Sequence, residues 1–306
     1  MSRLSNVIFA PFAGYLDQKA LEFIGADRVG VDFARPYGEP ALVHQSSVSW
    51  QVFKNPVALF TGGIAAVLLE LAEPRVRAGV WGHSTFRQDP VGRLKRTGLA
   101  AMVTVFAPGS TATAMIKGVN RRHGKVVGTT PEGLNYDARS PDLLSWVHGT
   151  ASFGFLEAYC RYCAPLSAED KSSFYAEGQK SAGLYGAINA PLSLQAQQAF
   201  FERWEDCLEG APEIHEFLDI MKAAKALPGP VRLSQKLLIR AGVDVLPEEL
   251  KIRLGLEGKG LRGAHERLVV QRMGRRANRL ILKRSPAVQA CRRLGLSDDY
   301  LFRARS

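Results

Sequence analysis

An all-α fold is what this sequence predicts, and three features point there. Beyond Trp50, apolar residues recur at helical spacing along most of the chain. Helix-start signals precede many of those runs, as at Asn55-Pro56, Asp89-Pro90, Ser140-Pro141, Ser167 and Ser285-Pro286. No alternating apolar and polar pattern of strand length follows residue 50. With 306 residues, 46% hydrophobic and 23% charged, the chain can bury a substantial core and does not read as disordered.

Residues 1–49 mix glycines, prolines and short apolar runs, and residues 29–33 read equally as a short strand or a loop. Pro11 and Asp17 interrupt the apolar patch near the start, with no clear small-residue cleavage site after it, so no signal peptide is read. Asn55-Pro56 opens VALFTGGIAAVLLELAE, a nearly uncharged run ending at Glu70 and Pro74. A membrane span needs about 20 apolar residues. Residues 57–69 fall short of that, and Gly62-Gly63 interrupts them, so a buried helix is expected.

Pro74 starts a helix over 75–81. Asp89 caps the next, which puts Arg93, Arg96 and Thr97 at i, i+3 and i+4 on one face. After Pro108-Gly109-Ser110, an apolar helical run over 112–119 leads to His123, and 128–133 reads as a loop. Ser140-Pro141-Asp142 begins LLSWVHGTASFGFLEAYCRYC, whose apolar positions cover most of the circumference, as in a central helix. Helices are further expected after Ser167, with Asp170 as an acidic partner three residues on, and in LQAQQAFFERWEDCL, EIHEFLDIMKAAKAL and VRLSQKLLIRAG. Leu246-Pro247 begins a short one, HERLVVQRMGRRANRLILKRS is amphipathic and basic, and Ser285-Pro286 starts the last.

Charge is uneven. Residues 231–306 carry 18 Lys/Arg against 7 Asp/Glu, which leaves 22 against 22 in residues 1–230. Such a segment faces an anionic membrane surface or nucleic acid, or is a solvated basic face. No aromatic residues interleave its arginines as single-strand binding favours, so nucleic acid is the less favoured partner. Four cysteines without a regular framework indicate a reducing compartment. Cys160 and Cys163 are spaced C-x-x-C, but lack the second pair of a zinc site and the preceding strand of a redox fold.

Polar groups among apolar neighbours need a partner or a task. His83, His123 and His148 lie near the densest apolar helices, so His123 and His148 are candidate metal or haem ligands, with a hydrogen-bonded core histidine as the plainer reading. No H-x-x-x-H or E-x-x-H spacing supports zinc or a di-iron bundle. Arg93 and Arg96 suit holding a propionate or a developing anion, and pairing with Asp89 or Glu73 is the alternative. Thr97 suits a bond back to its own helix. GKGLRG over 258–263 matches G-x-G-x-x-G but follows no strand and has no acidic residue about 20 positions on, so it is not read as a dinucleotide site.

Taken in order, NPVALFTGG, LLELAEPRVRAGVWGHSTFRQDPVGRLKRT, VNRRHGKVVG, YDARSPDLLSWVHGT, APLSAEDKSSFYAEG and LPEELKIRLGLEG resemble a known family. The sequence is similar to the bacterial and fungal oxygenases that include mpaB and the rubber oxygenase called latex-clearing protein, from about residue 50 to about 258. The resemblance implies an all-α, globin-like core around haem b and dioxygen-dependent chemistry on apolar, often isoprenoid, substrates. It assigns the proximal haem histidine to His123 and a distal arginine and threonine to Arg93 and Thr97. The distal lysine of the rubber enzymes corresponds to Arg96. Arginine stays protonated and is a poor iron ligand, so a contact to propionate, oxygen or substrate is expected there instead.

The expected organisation is an N-terminal extension over 1–49, an oxygenase catalytic domain over 50–258 and a basic helical extension over 259–306. The expected function is a cytoplasmic, haem b-dependent oxygenase of a hydrophobic small molecule, using Arg93, Arg96 and Thr97 in catalysis and His123, Arg93 and His148 at the cofactor, with His123 on the iron. A peripheral membrane contact through 265–285 is compatible with it. The rival is a non-enzymatic helical protein whose basic tail binds anionic membrane or nucleic acid.

Overall fold

The structure, a computed structural model, describes residues 14–19 and 30–303. The apolar patch read against a signal peptide lies largely outside the described residues, as does Val29 of the ambiguous 29–33 segment, while 31–33 form no strand. After a helical segment over 14–19, whose Asp17 accepts from the backbone N–H of Arg284, come α1 (Val48–Phe53) and α2 (Pro56–Ala72). The side chain of Asn55 accepts from the backbone N–H groups of Val57 and Ala58, which caps α2, and Pro56 needs no partner at the first position. Glu73 caps α3 (Pro74–His83) and Asp89 caps α4 (Pro90–Phe106) in the same manner. Next comes α5 (Gly109–His123), ending at the predicted histidine.

A short hairpin follows, β1 (Val127–Thr129) antiparallel to β2 (Asn135–Asp137), with Gly128 opposite Tyr136. A loop was expected there. Strands of three residues, exposed throughout β1 and at four of the six positions overall, carry too little alternation to be read from a sequence.

The remaining helices are α6 (Pro141–Tyr162), α7 (Ala168–Glu177), α8 (Gln179–Tyr185), α9 (Leu194–Trp204), α10 (Pro212–Ala223), α11 (Gln235–Val245), α12 (Glu248–Arg253), α13 (Ala264–Ala277) and α14 (Pro286–Arg293). Short 3-10 turns precede α11 and follow α9. The protein is mainly helical, as predicted.

Helices α2 and α6 form the centre. They cross with their backbones in contact at Gly62 and Gly154: a Cβ on Gly62 would stand 2.7 Å from the Cα of Phe155, and one on Gly154 would stand 2.5 Å from the carbonyl oxygen of Gly62. Trp146 of α6 is fully buried and donates to the carbonyl of Leu69 on α2 over 3.2 Å. Its other face receives α9, with ring centroids 6.0 Å away at Phe200 and 5.0 Å at Trp204. Burying such aromatic area contributes both hydrophobic free energy and defined ring geometry. Helix α11 packs on α2, where Gly242 abuts Ile64, and α13 packs on the C-terminal end of α6, where Gly274 abuts the Tyr162 carbonyl. Asn55 donates 2.9 Å to the carbonyl of Gly274, so the cap of α2 is tied to α13.

No single helix among the described residues is long and apolar enough to cross a membrane. The run expected to be a buried helix is one, with Ala58, Ala65, Leu68, Leu69 and Leu71 fully buried.

Candidate functional site

Both central helices carry a stripe of part-exposed residues. On α2, Leu59, Gly63, Val67 and Glu70 follow one another at steps of four, four and three residues and all keep accessible area. On α6 the same holds for Leu144, Val147, His148 and Ala151. Stripes of this kind on otherwise buried helices mark walls of a recess.

The titrating groups agree with that reading. Glu70 keeps partial exposure, yet desolvation by burial pushes its carboxyl up to about 7, against a smaller opposing pull from Arg93. His148 is also part-exposed, while burial pushes its imidazole down to about 4. Accessible area and strong desolvation coexist on one side chain when its open face looks inward, away from bulk water.

His123 occupies the last position of α5, after an apolar segment anchored by Ala112 and Ile116. A helix C-terminus favours a cation. Desolvation, reinforced by the charge of Arg93, nevertheless lowers the His123 pKa and holds the ring neutral. Its Nδ1 is buried and has no hydrogen-bond partner. One turn earlier, Asn120 donates 2.9 Å to the carbonyl of Leu184, which fixes the end of α5 against α8. Thr104 of α4 and Tyr185 at the end of α8 share a hydrogen bond of 3.3 Å, so α4, α5 and α8 are joined at this edge.

Arg93 is half-buried on α4. Burial lowers its pKa, the nearby Glu70 charge raises it, and Arg96 lowers it further. Its guanidinium donates 3.0 Å to Thr97 Oγ1, and the Thr97 hydroxyl donates 3.0 Å to the Arg93 carbonyl, so the two form a reciprocal pair one turn apart. Among the described residues Glu70 makes no ion pair and no side-chain hydrogen bond, and Arg93 acts on it through space. Arg96 is exposed and engaged elsewhere: its guanidinium donates 2.7 Å to Thr85 Oγ1 and 3.4 Å to Asp89. It fastens the 84–89 segment to the first turns of α4, the carboxylate pairing weighed for it in the sequence. His148 lies against the backbone where α7 meets α8: its Nε2 would be 3.1 Å from a Cβ on Gly178.

The structure thus joins His123, Arg93 and Glu70 electrostatically, with Thr97 held by Arg93. It sets His148 on the α6 wall and gives Arg96 a separate pairing. Glu70 is the residue that sequence reasoning missed. The available signal was its register: it continues the Leu59, Gly63, Val67 stripe as the sole carboxylate of an apolar helix.

Chemically, this set offers a neutral imidazole with no hydrogen bond, a desolvated fixed cation and a carboxyl group that exchanges a proton near neutral pH. Among the described residues no three His, Cys, Asp or Glu side chains converge as a metal site. Cys160 and Cys163 are free, and burial pushes their thiols up to about 11 and about 12, so they are unreactive core thiols.

Fold and site define a class: an all-α protein whose central helices border a site with two histidines, His123 and His148, whose pKa values burial lowers. The family described as ER-bound oxygenase mpaB/B'/Rubber oxygenase, catalytic domain, matches residues 50–279, and the chain belongs to that family. No curated protein and no solved structure matches it. The family is one of oxygenases, which implies dioxygen and an oxidisable substrate. The match runs through α13, which the sequence had assigned to an extension beyond residue 258.

Proposed function

We propose that the protein is a haem b-dependent oxygenase of a hydrophobic, isoprenoid-like small molecule, with His123 as the axial ligand and the recess walled by α2, α4, α5 and α6 as a globin-like pocket. The observation that carries this reading is the state of His123, whose ring is neutral and unpaired beside Arg93 at the recess edge. An axial ligand must offer a free lone pair, and a charged or doubly bonded imidazole has none. Haem, when bound, supplies the oxidation chemistry; the protein supplies ligation, orientation and dielectric.

The other residues act around that centre. Arg93, held by Thr97, keeps a fixed charge in a low-dielectric setting, where it binds a propionate or steadies a developing anion. Thr97 has its hydroxyl proton committed to the Arg93 carbonyl, so its oxygen serves as acceptor and orienter. Glu70 is half-protonated near pH 7 and can hold or accept a proton at its carboxyl oxygens. The apolar Leu59, Val67, Leu144 and Val147 exclude water and suit an apolar substrate. His148 is a second cofactor contact through its neutral ring. Arg96 holds the 84–89 segment at the rim, from where it meets substrate or a propionate rather than iron.

Four free cysteines fit a cytoplasmic, reducing location. The exposed Arg272, Arg275 and Arg279, with Leu268 49% and Ile281 39% exposed beside them, fit a peripheral contact with an anionic membrane that delivers such a substrate.

The absorption spectrum tests the assignment. The purified, haem-supplemented chain is expected to show a Soret band that His123→Ala abolishes or displaces. A chain without that band, or a variant with an unchanged one, refutes haem ligation by His123.

A further inference from the structure

A second cleft, which shares no lining residue with the recess, carries a surplus of cationic side chains. It has a volume of about 540 Å³, within the range of roughly 300–1,000 Å³ typical of small-molecule sites. Leu218 and Ala223 of α10 with Ile239 and Val243 of α11 give it an apolar floor. Its rim carries five cationic side chains, Lys222, Lys236, Arg240, Lys259 and Arg262, against one lining carboxylate, Asp219.

Ion pairs occupy two of the five. Lys222 bonds Asp219 at 2.9 Å, and Arg240 grips Glu266 through two contacts of 3.1 and 2.6 Å. Lys236, Lys259 and Arg262 have no ion pair among the described residues. Only weaker fields reach them, from Asp219 toward Lys259 and from Glu266 toward Arg262. Three like charges around one mouth repel one another, and an anion of charge near two relieves that repulsion.

The GKGLRG segment, which failed as a nucleotide motif, has its explanation here. Gly258 at φ +68° and Gly263 at φ +135° adopt backbone that side-chain-bearing residues rarely take. The resulting turn carries Lys259 and Arg262 to the cleft mouth. No aromatic side chain among the described residues lines the cleft, so none of them stacks a base there. None of the residues that line the cleft is among those assigned to the recess. It is therefore separate from the recess and independent of any reading of His123.

We infer that this cleft binds a phosphate monoester carried on an apolar chain. A phosphate monoester brings between one and two negative charges and three acceptor oxygens to the three free cations, and the chain covers the apolar floor. A lipid headgroup and a free phosphate ester share this chemistry.

Calorimetric titration of the full chain with octyl phosphate tests the inference. One ester is expected per chain, bound at least about tenfold tighter than inorganic phosphate or octanol. Lys259→Gln with Arg262→Gln should weaken it by about tenfold or more, as expected for lost charge-assisted bonds, with melting unchanged. Arg275→Gln, outside the cleft, should leave it unaltered. With vesicle retention read on chains that already carry Arg272→Gln, Arg275→Gln and Arg279→Gln, ester binding with no retention on phosphatidic acid vesicles identifies a soluble ester; ester binding with retention that Lys259→Gln and Arg262→Gln then remove identifies a lipid headgroup. The inference is overturned if octyl phosphate binds no tighter than inorganic phosphate, if the double variant binds as the parent does, if Arg275→Gln weakens binding equally, or if vesicles bind while the soluble ester does not.

Discussion

Glu70 and His148 make folding depend on pH with opposite sign in overlapping windows. The folded state holds the Glu70 proton up to about 7, whereas the ordinary carboxyl value is 4.5. Stability is therefore full below pH 4.5 and falls as pH rises to 7, by about 2 kcal/mol once the accessible face is allowed for. For His148 the folded value is about 4 against 6.5, so stability is retained above pH 6.5 and lost as pH falls toward 4. Glu70→Gln in the haem-free chain should raise the denaturant midpoint at pH 8 and change it little at pH 4.5; an equal shift at both values would contradict a desolvated carboxyl. The same residues mark what the sequence could say about the site. Arg93, Thr97 and His123 were legible because motif order assigned them, and the first two because helical spacing also put them on one face. Arg96 shares that spacing but not the pairing, since Thr85 and Asp89 take its donors. Glu70 was passed over because one carboxylate at the end of an apolar run reads as a helix terminus until its inward register is seen.

At the scale of elements, caps were the most readable feature. Asn55, Asp89, Ser167 and Ser285 each accept a backbone N–H at the start of their helix, whereas Ser140 begins α6 without a side-chain cap bond. That chemistry is local, so sequence carries it whole. Helix crossing is not local. Gly62 appeared to interrupt a helix, whereas the structure uses it to let α2 touch α6, with Gly154 opposite. Gly62→Ala adds a methyl against backbone that cannot swing aside, and overpacking of this kind costs about 1–3 kcal/mol. A lower thermal midpoint is expected, of that order and without loss of helical signal. Gly183→Ala is the control, since open space surrounds its Cβ position and no drop should follow.

The basic C-terminal quarter changes meaning once the whole molecule is considered. Read as sequence it was an extension, separable from a catalytic domain. In the structure Val270 is fully buried, Gly274 accepts from Asn55, and Arg293 is 1% exposed while bonding the carbonyls of Phe33 and Glu39 at 2.5 and 2.8 Å. The charge surplus is thus the outer surface of helices whose inner faces complete the core. Sequence could count those charges but not locate the contacts, because each joins residues more than 200 positions apart. Deletion of residues 264–306 should therefore abolish cooperative melting, and cannot separate membrane contact from folding. Replacing Arg272, Arg275 and Arg279 by glutamine removes charge from exposed positions alone. That variant should melt as the parent does and keep any Soret band, yet lose retention on anionic vesicles. Each basic residue near such a surface is worth about 1 kcal/mol, so three replacements amount to roughly a hundredfold. Retention unchanged by the triple replacement would remove α13 from the membrane and leave its arginines as a solvated face.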